Sequence, residues 1–130
     1  MEEAMKKSHK IILAALAVLL VVFHFAVPRK AVKGEYRLHS VEKNAQDITG
    51  ELTEADIDRI EALVGAASCT RWKNPIGSFP SYDDTVVLLG MDDRGLCVVT
   101  LAGSVDKYDV RQHILKDGEE LWLELLELLP

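Results

Sequence analysis

The sequence predicts an α+β protein in which an N-terminal transmembrane helix precedes an antiparallel sheet with two packed helices, in the order β-α-β-β-β-β-α. Three observations predict this fold. Residues 11–27 form an uncharged apolar block, short segments alternate apolar and polar residues between turn residues, and two segments repeat apolar residues at helical spacing. The 130 residues suffice for one domain and an anchor.

The apolar block reads IILAALAVLLVVFHFAV and covers residues 11–27. A helix of this length rises about 25 Å, which is near the lower limit for crossing the hydrocarbon core of a bilayer. Residues 1–10 form a basic tail, 28–34 a short basic linker, and 35–130 the single α+β domain. We therefore expect the lipid bilayer to be a partner of this chain, bound through the apolar block.

The block has two interpretations, a cleaved signal peptide or an uncleaved signal-anchor helix. Cleavage requires small residues one and three positions before the cut, and the charged residues after Pro28 crowd the available positions. An uncleaved, single-pass anchor is therefore favoured. The basic tail predicts a domain on the extracytoplasmic side, although the basic residues after the block leave a cytoplasmic domain as the alternative.

The first half of the domain has one well-marked helix. Residues 35–42 alternate as a strand does, and residues 43–50 are typical of turns. The helix is predicted over residues 53–64, with Thr53 as N-cap and Asp56 completing a capping box, and Gly65 is expected just after its end.

The second half is predicted to consist of strands and a closing helix. Strands are expected at 68–73, 85–91, 96–101 and 107–114, and a helix follows over 118–129, with Asp117 as its cap. Gly95 is expected in a left-handed conformation at the turn of the central hairpin. Because this hairpin is apolar on both faces, its second face should be covered, either by the 74–82 loop or by a protein partner.

The domain is acidic. Residues 31–130 contain 10 Lys or Arg and 19 Asp or Glu, a net charge of −9. Such a charge disfavours binding to nucleic acid, since phosphates would be repelled. It also predicts repulsion from anionic lipid headgroups, so that the domain would stand away from the bilayer on its linker.

No catalytic constellation, cofactor motif or metal-binding motif is present. Cys69 and Cys97 could form a disulfide in an exported domain, or could be two buried free thiols. His39 and His113 have no partner at metal-ligand spacing. The pairs Asp83-Asp84 and Asp92-Asp93 could hold Ca²⁺ together but are more typical of turns. We therefore expect a protein that is not an enzyme and uses neither a cofactor nor a metal.

The segment around the 74–82 loop contains the side chains best suited to recognition. These candidates for a ligand or partner surface are Arg71, Trp72, Lys73, Phe79 and Tyr82. The alternative is that Trp72 and Phe79 fill the core, as large aromatic side chains often do.

The segments LTEADIDRIEALV, CTRWKNP, TVVLLGMDDRGLCVV and DGEELWLELLELL follow one another over most of residues 50–130. This layout resembles that of small membrane-anchored or exported bacterial domains of unknown function. The resemblance implies an accessory role at the cell envelope and assigns no functional residue. The resulting hypothesis is a noncatalytic binding or interaction module in the cell membrane. Its alternatives are a cytoplasmic-facing subunit of a membrane complex and, less favoured, an envelope enzyme.

Overall fold

The computed structural model describes residues 2–73 and 84–130 and is an α+β fold, as the sequence predicts. Two short 3₁₀ turns, Thr49–Glu51 and Gly103–Val105, accompany its helices and strands. In chain order, the helices and strands are α1 (Glu2–Ala26), β1 (Arg29–Lys30), β2 (Arg37–Lys43), β3 (Gln46–Asp47), α2 (Glu54–Ala66), β4 (Ser68–Lys73), β5 (Thr85–Asp92), β6 (Gly95–Ala102), β7 (Lys107–Val110), β8 (His113–Leu115) and α3 (Gly118–Leu128).

Helix α1 contains the apolar block except its last residue, Val27, and begins nine residues before the block, at Glu2. The tail continues the helix because Ala, Met, Lys and Glu all have high helix propensity. Its apolar side chains are exposed over most of its length, and the helix ends at Ala26, two residues before Pro28. By length and composition α1 is suited to crossing a membrane, a property that it shares with signal sequences.

The segment predicted as a linker, 28–34, is instead part of the domain. Strand β1 pairs antiparallel with β4, placing Arg29 opposite Cys69. Ala31 and Val32 are buried in the core, and the Lys33 amide donates a hydrogen bond to Asp92. The sequence suggested a linker because the basic residues dominate this segment, whereas its two apolar residues are the ones that fold inward.

The described strands form one antiparallel sheet in the order β1-β4-β8-β7-β6-β5-β2-β3. One face packs against both α2 and α3, which contribute Ile60 and Leu125 to a single core with the sheet residues Val41, Leu88 and Val99. The other face, called here the outer sheet face, lies away from this core. Two helices therefore cover one side of the sheet only.

Helix α2 begins as the sequence predicts. Thr53 is the N-cap, its hydroxyl accepts from the Asp56 amide at 3.2 Å, and the Asp56 carboxylate accepts from the Thr53 amide at 3.1 Å. The predicted end is wrong, because the helix continues through Gly65 to Ala66. Gly65 does not adopt a positive φ and is an interior helical residue.

The central hairpin has the predicted turn, with Gly95 at φ +105°. The strand predicted over residues 107–114 is two strands, β7 and β8, separated by a two-residue turn. Arg111 and Gln112 occupy this turn with φ of 49° and 69°. The turn escaped prediction because such positive-φ pairs are usually Asn or Gly, and neither residue is present here.

Candidate functional site

The structure describes three of the five residues predicted to form a ligand or partner surface. Arg71, Trp72 and Lys73 lie at the end of β4, whereas Phe79 and Tyr82 lie outside the described residues. The indole of Trp72 is 54% exposed, so the alternative that Trp72 fills the core is wrong. Its ring contacts that of Phe25 in the last turn of α1, with centroids 5.0 Å apart.

Both cysteines are buried free thiols. Cys69 lies on β4 and Cys97 on β6, and the sheet order places β8 and β7 between these strands. The adjacency on which the predicted disulfide depended is therefore absent. Burial raises the pKa of both thiols. A buried thiol with a raised pKa is a poor nucleophile at neutral pH.

A small basic pocket, not identified in the sequence, lies where β1, β4, β7 and the central hairpin meet. Its volume is about 100 Å³, well below the roughly 300 Å³ typical of sites for drug-sized ligands. Its lining residues in the part of the chain that the structure describes include no acidic residue and are Arg29, Lys30, Ala31, Cys69, Arg94, Val110, Arg111 and His113. Such a lining suits a compact anion.

The cations come from three separate segments of the chain. Strand β1 supplies Arg29 and Lys30, the turn of the central hairpin supplies Arg94, and the β7–β8 turn supplies Arg111. The pairing of β1 with β4 places Arg29 beside Cys69. The positive charges of Arg29 and Arg94 partly counteract the burial that raises the pKa of the Cys69 thiol, which indicates that both charges lie near it.

Arg111 is held in place by a buried carboxylate. Its two terminal nitrogens donate to the Asp92 oxygens at 2.9 and 2.5 Å, and its Nε donates to the Leu96 carbonyl at 3.1 Å. The side chain of Asp92 is completely buried and also accepts from the amides of Lys33 and Arg94. The Arg111 guanidinium and these amides hold the pKa of Asp92 far below its usual range, despite its burial.

The other cations of the pocket are not neutralised in the same way. Among residues 2–73 and 84–130, Arg29, Lys30 and Arg94 form no ion pair. The Nδ1 atom of His113 is buried and has no hydrogen-bond partner in the described part of the chain. The pocket therefore combines three positive charges, and an oxyanion in it could accept hydrogen bonds from several of these cations at once.

The outer sheet face is a second concave, partly apolar surface. Met91 and Leu96 are 52% and 64% exposed, and a groove of about 390 Å³ runs past Leu96, Val98 and Thr100. The predicted intramolecular cover, the 74–82 loop, lies outside the described residues. Binding of a protein partner at this face stays a prediction.

The two aspartate pairs that could hold Ca²⁺ do not form a metal site in the described part of the chain. Asp92 belongs to the ion pair with Arg111, and Asp93 is an exposed residue of the hairpin turn. Asp83 lies outside the described residues. Over the parts of the chain that the structure describes, no group of three or more His, Cys, Asp or Glu side chains could hold a metal ion.

The basic pocket could have been found only in part from the sequence. In the sequence, Arg29 and Lys30 belong to the predicted linker, Arg94 to the turn of the central hairpin and Arg111 to the strand predicted over residues 107–114. The one available signal was the excess of cations at residues 28–34 in a chain whose domain is otherwise acidic. These cations come together only because β1 pairs with β4, and a strand of two residues is too short to be predicted from the sequence.

Comparison of the chain with protein-family models, curated proteins and solved structures found no match. The resemblance of layout to small anchored or exported bacterial domains therefore stays a prediction.

Proposed function

We propose that this protein is a single-pass membrane protein whose extracytoplasmic domain is a noncatalytic binding module for a small anion, with a phosphate group as the ligand. The observation that carries the proposal is the convergence of Arg29, Lys30 and Arg94 on a pocket whose described lining residues include no carboxylate. Arginine forms paired, charge-assisted hydrogen bonds with phosphate, and a phosphate matches several cations better than a singly charged group does.

The chemistry of the pocket favours binding over catalysis. Its nucleophile, Cys69, is buried and has a raised pKa. The carboxylate nearest to its arginines, Asp92, is engaged with Arg111 and with two backbone amides, so it is not available as a general base. Binding therefore requires no group that the structure lacks, whereas a reaction would require a base and an activated nucleophile.

Binding can be tested on the full chain in an uncharged detergent by titration calorimetry with inorganic phosphate. We expect binding to the wild type and at least about tenfold weaker binding to Arg94→Gln, because one charge-assisted hydrogen bond contributes about 1.5–3 kcal/mol. Arg59→Gln is the matched control, since Arg59 is exposed on α2 and does not line the pocket. Equal affinities of the wild type and Arg94→Gln would refute the site.

The side of the membrane can be tested with the two native cysteines. Intact cells would be treated with a membrane-impermeant thiol reagent under mild unfolding, because both thiols are buried. Labelling of intact cells supports an extracytoplasmic domain. Labelling only after lysis would contradict it and favour the cytoplasmic-facing subunit of a membrane complex.

A further inference from the structure

The end of the sheet next to α1 has a composition unlike that of the rest of the domain. Trp72 is largely exposed and rests on Phe25, the residue before the end of α1. Residues 31–130 carry a net charge of −9. The charged residues of the domain nearest to Phe25 and Trp72 along the chain are nevertheless all basic: Arg29, Lys30, Arg71 and Lys73.

The pairing of β1 with β4 determines where Trp72 and the cations of β1 lie relative to the end of α1. Arg29 lies opposite Cys69, and the two strands are antiparallel, so β4 runs back toward the end of α1 as the chain proceeds to Trp72 and Lys73. Three residues of strand span about 10 Å. Arg29 therefore lies about 10 Å from the level of Trp72, measured along the strands, and Lys30, which is opposite Ser68, lies about 13 Å from it.

If α1 crosses a bilayer, the ring contact determines the depth of Trp72. Phe25 belongs to the last turn of the apolar block, so it lies at the boundary between hydrocarbon and headgroups. Because the rings of Phe25 and Trp72 have centroids only 5.0 Å apart, Trp72 lies at the same boundary. This is the depth that tryptophan prefers, because its ring is amphipathic.

We infer that the interfacial surface, defined as Trp72, Lys73, Arg29 and Lys30, docks on the headgroup region of an anionic bilayer. This inference rests on the proposed membrane anchoring of α1 and does not require an anion in the basic pocket. The net charge of the domain predicts the opposite arrangement, but electrostatic attraction to lipid decays within about 8 Å at physiological salt, so the local cations dominate. Each of these cations is attracted to an anionic surface that lies within this distance.

The two tryptophans provide the readout. Trp72 is exposed and Trp122 is 7% exposed in the core. The full chain would be reconstituted into vesicles of phosphatidylcholine and phosphatidylglycerol that contain lipids brominated near the headgroup end of the acyl chain. We expect bromine to quench the wild type, and we expect the Trp72→Phe variant to lose at least about half of this quenching.

Charge is tested separately with Lys73→Gln, which lies outside the basic pocket, and with Arg59→Gln as control. Lys73→Gln should reduce the quenching in anionic vesicles but not in pure phosphatidylcholine, and Arg59→Gln should change neither. Equal quenching of the wild type and Trp72→Phe, in chains that float with the vesicles, would overturn the docking. Failure of the chain to float would instead overturn the anchoring on which it rests.

Discussion

At the scale of single residues, Asp92 connects the parts of the domain that form the basic pocket. Its buried carboxylate accepts hydrogen bonds from the side chain of Arg111 and from the amides of Lys33 and Arg94. These partners belong to the segment after β1, the hairpin turn and the β7–β8 turn. A single carboxylate therefore fixes the relative positions of the three segments that supply the cations.

Asp92→Asn should lower the free energy of unfolding at pH 7 by about 3 kcal/mol, because it leaves the guanidinium of Arg111 without its buried partner. Chemical denaturation of the full chain in an uncharged detergent measures this change. Asp93→Asn is the control, since Asp93 is exposed in the same turn, and its effect should be within about 0.5 kcal/mol. Equal losses in the two variants would contradict this role for Asp92.

The same ion pair predicts the direction of a pH dependence. The pKa of Asp92 is lowered in the folded protein, so its stabilising contribution is complete above its unfolded pKa of about 3.9. It is lost as the pH falls from there toward the lower folded pKa. The difference in stability between the wild type and Asp92→Asn should therefore shrink below about pH 4.

At the scale of elements, the predictable parts are those in which local chemistry and tertiary packing agree. The capping box of Thr53 and the turn at Gly95 are local features, and both are confirmed. Strand β1 has only two residues and gains its structure from pairing with β4, so the sequence around it indicates a linker. The basic pocket also depends on tertiary pairing, because its residues lie far apart in the chain and meet only in the folded sheet.

Two glycines in regular elements should respond oppositely to substitution by alanine. A Cβ at Gly90 in β5 would lie 2.5 Å from the Tyr36 hydroxyl and 2.6 Å from the carbonyl oxygen of Arg37, so Gly90→Ala should destabilise the fold by about 1–3 kcal/mol. Gly65 in α2 faces open space, and Gly65→Ala should stabilise it by about 0.5–1 kcal/mol. Denaturant midpoints measure both, and a destabilising Gly65→Ala would contradict the helical assignment of Gly65.

At the scale of the whole molecule, α1 and the domain are joined without a free linker. Only two residues separate Ala26 from β1, and the chain then enters the core at Ala31 and Val32. The proposed anchor is therefore followed at once by Arg29 and Lys30, which belong both to the interfacial surface and to the basic pocket. A ligand in the pocket would lie close to the end of α1, a position that a flexible stalk would not ensure.

This arrangement predicts that the domain begins at residue 28 and not at residue 35. A fragment of residues 35–130 lacks β1, the buried side chain of Val32 and the hydrogen bond from Lys33 to Asp92. Burial of a valine contributes about 1.5–3 kcal/mol, and a hydrogen bond to a charged group contributes about as much again. The shorter fragment should therefore be less stable than residues 28–130 by at least about 3 kcal/mol in urea denaturation.

The substitution Val32→Ser in the longer fragment separates these contributions. Val32 is 2% exposed, so the substitution removes apolar burial while leaving β1 and the Lys33 amide in place. It should cause only part of the loss seen on truncation to residue 35, because the hydrogen bond to Asp92 and the pairing with β4 persist. Fragments 28–130 and 35–130 of equal stability would mean that residues 28–34 are a linker after all, and Arg29 and Lys30 would then have no fixed place in the basic pocket.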